Sequence, residues 1–79
     1  MSAADVGARV RTILASVFNI PEEQAGKGAS IDTVEAWDSL AHMNLVVALE
    51  ESFGMSFSPE EVVSLLSYEI IVETIRDRT

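Results

Sequence analysis

The stretch Asp38-Ser39-Leu40-Ala41-His42-Met43-Asn44-Leu45-Val46-Val47-Ala48-Leu49-Glu50-Glu51-Ser52-Phe53-Gly54 decides the fold. Asp38 is a good N-cap, because its carboxylate can accept from the free amides of a first helical turn. Gly54 supplies the stop, since glycine takes the left-handed conformation in which helices commonly end. Between them, His42, Leu45, Val46, Leu49 and Phe53 recur at helical steps and form the buried stripe. Leu40, Met43 and Val47 fall on a neighbouring, more exposed strip. Periodicity alone leaves two readings of that strip: the edge of the core, or a face for a partner.

Working outward, Ser58-Pro59-Glu60-Glu61 reads as a second helix start, with Ser58 as cap, Pro59 at the first helical position and Glu61 completing a capping box. A short helix to about Leu66 is expected. Ser67 then caps a last helix in which Tyr68, Ile71, Val72 and Ile75 form the stripe, with Arg76 and Arg78 at the end that favours positive charge. Upstream, Val6, Val10, Ile13, Leu14, Val17 and Phe18 line one face of a helix from about Ala3 to Phe18, and Asn19-Ile20-Pro21 stops it, proline being unable to continue the ladder. Pro21 to Trp37 is a long polar connection in which Ile31 and Trp37 are expected to pin the loop to the bundle. The expected fold is an all-α, small four-helix bundle with a long loop between helices 1 and 2 and a short helix 3, one domain over residues 1–79.

Composition bounds what such a bundle does. The net charge is −8, and between Glu22 and Glu73 eleven carboxylates face Lys27 alone. Such a field repels nucleic acid and anionic membrane and steers basic protein surfaces inward, although solubility alone also accounts for it. There is no Cys, hence no disulfide and no thiolate nucleophile or metal ligand. Met1-Ser2-Ala3-Ala4-Asp5 lacks a charged leader followed by an apolar run, and no stretch approaches a membrane span, so the expectation is a cytoplasmic protein without membrane insertion.

Asp38, Ser39 and His42 are the one catalytic-looking set, with Ser39 and His42 on one helical turn. As a triad it is weak, because an acid that caps the helix is poorly placed to orient an imidazole, and a separate oxyanion loop is not evident. The packed or solvent-edge reading of His42 is favoured. Asp32 to Asp38 lacks the alternating oxygens and central glycine of a calcium loop, so no metal is expected.

Trp37-Asp38-Ser39-Leu40 at the start of the second helix resembles the Asp-Ser-Leu attachment motif of acyl and peptidyl carrier proteins. The spacing from Ser39 to Leu49-Glu50-Glu51-Ser52-Phe53, to Phe57-Ser58-Pro59-Glu60-Glu61 and to Ser67-Tyr68 is similar to that family's pattern over nearly the whole chain. The resemblance implies an acyl carrier protein that is not an enzyme. A phosphopantetheinyl transferase (holo-carrier synthase) would move 4'-phosphopantetheine from coenzyme A onto the Ser39 hydroxyl, with Asp38 and Leu40 completing the attachment motif. An acyl-loading ligase or transferase and downstream synthase enzymes would then act on the thioester, the carrier being a monomer. It further implies that Leu40, Met43, Val47, Glu50, Glu51, Glu60 and Glu61 face partners.

The chain departs from the fatty-acid-synthesis form at Ala41 and Asn44, where that form shows acids, and at Trp37 and His42. It looks more like the specialised carriers of secondary metabolism, polysaccharide-linked or peptide pathways than like the housekeeping form of fatty acid biosynthesis, and the expected setting is a lipid metabolism, polyketide, polysaccharide-linked or peptide pathway. Two rivals remain: an unmodified acidic helical protein-interaction module, and a small hydrolase using Ser39 with His42.

Overall fold

The computed structural model describes residues 3–78; Met1 and Ser2 of the leader reading lie outside the described residues. The first helix, α1 (Ala3–Phe18), forms where the apolar steps predict it, and Val6, Val10, Leu14 and Phe18 make its buried line with Ile13 and Val17 on the flank. Asn19 takes a left-handed φ of 55°, and Ile20 N–H donates to the Ala15 carbonyl at 3.0 Å, the two-residue overshoot that satisfies the last carbonyls of a helix. The helix thus ends at Phe18 as expected, with Asn19 and Ile20 making the closing geometry and Pro21 beginning the loop.

α2 (Ser39–Phe53) has the expected bounds and caps. Asp38 Oδ1 accepts from the Ala41 amide at 2.8 Å, and Gly54 sits at φ 63°, ψ 41° with its N–H on the Glu50 carbonyl. His42, Leu45, Val46 and Leu49 are buried, whereas Phe53 is only half-buried and takes the Arg9 guanidinium over its ring at 4.6 Å. The stripe therefore ends at Leu49, one turn short of the expectation, because Phe53 closes the edge of the α1–α2 contact rather than its centre.

α3 (Pro59–Ser64) carries both halves of the capping box: Ser58 N–H to Glu61 Oε1 at 2.9 Å and Glu61 N–H to Ser58 Oγ at 3.2 Å. It stops at Ser64, not near Leu66. Leu65 leaves helical geometry (φ −80°, ψ 60°) and drops its side chain into the core, fully buried. Burying a leucine contributes about 1.5–3 kcal/mol, which exceeds the fraction of a kcal/mol per residue that separates ordinary helix propensities. α4 (Tyr68–Arg78) is capped by Ser67, whose Oγ accepts from Ile70 N–H at 3.2 Å, and it buries Ile71 and Ile75. A β-carbon on Gly7 would lie 2.7 Å from the Tyr68 hydroxyl, so α1 and the start of α4 approach closely through that glycine. Among the described residues the architecture is four α-helices, α1 packing against both α2 and α4.

The long connection is ordered by polar contacts the sequence did not announce. A short 3-10 turn, Glu22–Gln24, is followed by an isolated antiparallel bridge between Ser30 and Ser67, in which Ile31 N–H donates to Leu66 O at 3.0 Å and Tyr68 N–H to Ala29 O at 2.9 Å. Thr33 Oγ1 donates to Gly28 O at 3.0 Å and accepts from Ser30 N–H at 2.9 Å. Ala25, Ala29, Val34 and Trp37 reach the core, while the Ile31 side chain is 40% exposed. Trp37 pins the loop as expected and Ile31 does not: the bridge uses its backbone, and Val34 takes the inward position.

Candidate functional site

Trp37, two residues ahead of Ser39, is 3% exposed and lies with its ring 4.8 Å from that of Phe18. Its indole N–H donates to Nδ1 of the buried His42 at 3.0 Å, and His42 Nε2 meets the Val62 carbonyl at 2.7 Å. An indole only donates and a carbonyl only accepts, so the hydrogen-bond network assigns the His42 proton to Nε2. Both ring nitrogens are thereby committed inside the fold. Asp38 is turned to the Ala41 amide, and no geometry remains for an Asp–His–Ser relay. His42 is a packed histidine that joins the loop, α2 and α3.

Ser39 is the first residue of α2 and exposed. The turn it opens holds four donor amides; Asp38 serves two of them, its side chain taking Ala41 N–H and its carbonyl taking His42 N–H at 2.8 Å. The Ser39 and Leu40 amides are the other two, at the positive end of a 15-residue helix. Leu40, Met43 and Val47 follow at 74%, 52% and 50% exposure, so the strip proposed from periodicity lies in solvent and not at the edge of the core. Val63 on α3 is a further exposed apolar residue, at 69%, that was not singled out from the sequence. The Val62-Val63 pair on so short a helix was the available signal, since both cannot face inward.

The four glutamates divide into two kinds. Glu51 and Glu60 are exposed. Glu50 is half-buried and its Oε2 accepts from Phe57 N–H at 2.8 Å, closing the turn between α2 and α3. Glu61 accepts from Ser58 N–H and pairs with Arg78. The Ser58 backbone bond, and after it the charge of Arg78, hold the Glu61 carboxyl below its ordinary range against the opposing effect of desolvation. A surface groove of about 810 Å³ runs along Phe18, Ile20, Lys27, Val34 and Ala36, and none of the candidate residues lines it. Among the described residues, His, Asp and Glu side chains do not gather in threes that could hold a metal ion.

A family model described as "Phosphopantetheine attachment site" matches residues 8–75, from the second turn of α1 to the last turns of α4. The chain belongs to this family of phosphopantetheine carriers. Carriers of this family hold 4'-phosphopantetheine covalently, are not themselves catalysts, and work with a phosphopantetheinyl transferase and with synthase or ligase enzymes. The match spans the whole α1–α2 loop, the start of α2 and α3, so the carrier's bundle and the exposed turn at Ser39 are one described unit. Among the described residues, no helix of the carrier is long and apolar enough to cross a membrane.

Proposed function

We propose that Ser39 is the residue that accepts the phosphopantetheine arm and that the carrier presents acyl or aminoacyl thioesters to the enzymes of a specialised lipid, polyketide, polysaccharide-linked or peptide pathway. The observation that carries this reading is the exposed Ser39 hydroxyl at the first position of α2, held by an N-cap that is engaged with the backbone. In the loading step the Ser39 Oγ–phosphorus bond forms as the pyrophosphate P–O bond of coenzyme A breaks; the hydroxyl gives up its proton and adenosine 3',5'-bisphosphate departs. Coenzyme A is the co-substrate, and the arm supplies the thiol that a chain without cysteine lacks. The site fits the group: the Ser39 and Leu40 amides and the helix dipole favour the resulting phosphodiester anion. Asp38 opposes that anion electrostatically, so its value lies in capping α2 and in recognition by the transferase. Leu40, Met43 and Val47 then form the apolar docking strip, with Glu51 and Glu60 as the acids that steer basic partners.

The test is the intact mass of the carrier after incubation with coenzyme A, magnesium and a broad-specificity phosphopantetheinyl transferase, beside Ser39→Ala. A gain of one phosphopantetheine in the parent and none in the variant is the expected result. No gain with several transferases would turn the acidic bundle into an interaction module that is never modified.

A further inference from the structure

α3 places no side chain among the fully buried residues, and its apolar hold on the bundle is the half-buried Val62. Two of its tethers are at the surface: the Ser58–Glu61 capping box and the Glu61–Arg78 pair. The third runs inward, from the Val62 carbonyl to His42 Nε2 at 2.7 Å, and continues through Nδ1 to the Trp37 indole at 3.0 Å. One imidazole is thus tied to residues on both sides of Ser39 in the chain and to the helix that displays Val63 at 69% exposure. An aliphatic side chain at position 42 offers neither an acceptor to the indole nor a donor to the carbonyl. It would leave the buried Trp37 indole N–H without its acceptor and the Val62 carbonyl with only the long 3.4 Å bond from Leu65 N–H, and α3 would lose its hydrogen bond to α2.

We propose that His42 is a positioning residue for carrier recognition. By accepting from Trp37 and donating to Val62 it sets α3, and with it Val63, at one station beside the Ser39 turn, and the transferase reads Val63 there. The inference rests on the reading that Ser39 is the residue loaded. It accounts for a buried histidine on the same helical turn as an exposed serine without making it a base. The polar chain is also fully matched: among the described residues no buried side-chain nitrogen or oxygen lacks a partner.

The experiment is steady-state loading with coenzyme A, magnesium and a broad-specificity phosphopantetheinyl transferase, at a temperature where circular dichroism shows every variant folded. The variants are His42→Leu, His42→Gln, Val63→Asp and the double variant His42→Leu/Val63→Asp. The expected result is a KM for the apo-carrier raised about tenfold in His42→Leu with kcat within about twofold, equivalent to about 1.4 kcal/mol of recognition. His42→Gln, which keeps an amide donor near the reach of Nε2, returns most of that loss. Val63→Asp raises KM in the parent but adds little to His42→Leu, a coupling that a merely destabilising substitution would not produce. Amide spectra of the same samples show α3 resonances and the indole N–H of Trp37, the chain's one tryptophan, moving in His42→Leu. An unchanged KM, additive KM effects, or α3 resonances left at their parental positions would each overturn the proposal. If His42→Leu does not fold, His42→Gln decides it: a KM raised together with shifted α3 resonances supports the proposal, and α3 shifts with no change in KM refute it. A parent that no transferase loads refutes the assignment of Ser39, while the α3 shifts still judge the positioning role.

Discussion

Phe18 and Trp37 bring their ring centroids to 4.8 Å at an interplanar angle of 31°, joining the last residue of α1 to the loop residue that leads into the Ser39 turn. Nineteen positions of sequence separate them, so this contact ties the long connection to the bundle at the end that leads into the Ser39 turn. Phe18→Ala should cost about 3–5 kcal/mol, a large share of the roughly 5–15 kcal/mol that holds a small domain together. Phe18→Leu should cost less than about 1.5 kcal/mol. Urea titrations of both variants check this, and a Phe18→Ala midpoint at the parental value would show that the aromatic contact is not what anchors the loop.

Asp38 caps α2, and the proposed recognition of its carboxylate by the transferase is separable from that role. Asparagine caps a helix as well as aspartate does, so Asp38→Asn should leave stability unchanged, whereas Asp38→Ala should lose about 1 kcal/mol. If the transferase reads the carboxylate, both variants are loaded slowly. Parental loading rates in Asp38→Asn would instead reduce Asp38 to a cap.

Gly54 stands at φ 63°, where a β-carbon meets the backbone. A β-carbon there would touch no other residue, so the whole effect of Gly54→Ala is conformational. The expected cost is about 1–2 kcal/mol in chemical denaturation, with loading kinetics as in the parent because the turn lies at the far end of α2 from Ser39.

The glutamates predict opposite phenotypes. Glu50→Ala removes the acceptor for the half-buried Phe57 N–H and should cost about 1–3 kcal/mol in stability. Glu51→Lys should shift stability by no more than about 0.5 kcal/mol. It should slow association with the transferase at low salt, and the difference should fade as salt screens the interaction. A salt-independent rate in Glu51→Lys would remove the steering role.

Glu61 confers a defined pH dependence. Its carboxyl titrates lower in the folded chain than in the unfolded one, first because of the Ser58 N–H bond and then because of Arg78. The folded state therefore binds fewer protons in that range. The stabilisation is fully present above the ordinary carboxylate pKa and is lost as pH falls through the lowered folded value. Denaturation midpoints of Glu61→Gln and the parent should differ at neutral pH and converge in acid. A gap that persists below the carboxylate range would assign the effect to packing.

How far the chain could be read without coordinates follows from the range of each interaction. The Asp38 cap, the Ser58–Glu61 box, the Gly54 stop and the Ser67 cap each involve residues within a few positions of one another, and each was legible because backbone geometry couples only near neighbours along a helix. The apolar periods placed α1, α2 and α4 for the same reason, and the Asp-Ser-Leu run carried the family resemblance. The remaining features join distant segments. The Ser30–Ser67 bridge, the His42–Val62 bond and the Glu50–Phe57 bond depend on how the helices pack, and so do the exposure of Ile31 and the early end of α3 at Leu65. His42 illustrates the limit: its spacing from Ser39 suits a catalytic base as well as a packed histidine. Only the indole arriving from the loop and the carbonyl arriving from α3 commit its two nitrogens, because a hydrogen bond is made by groups that meet in space, and residues 37 and 62 meet position 42 only once the bundle has closed.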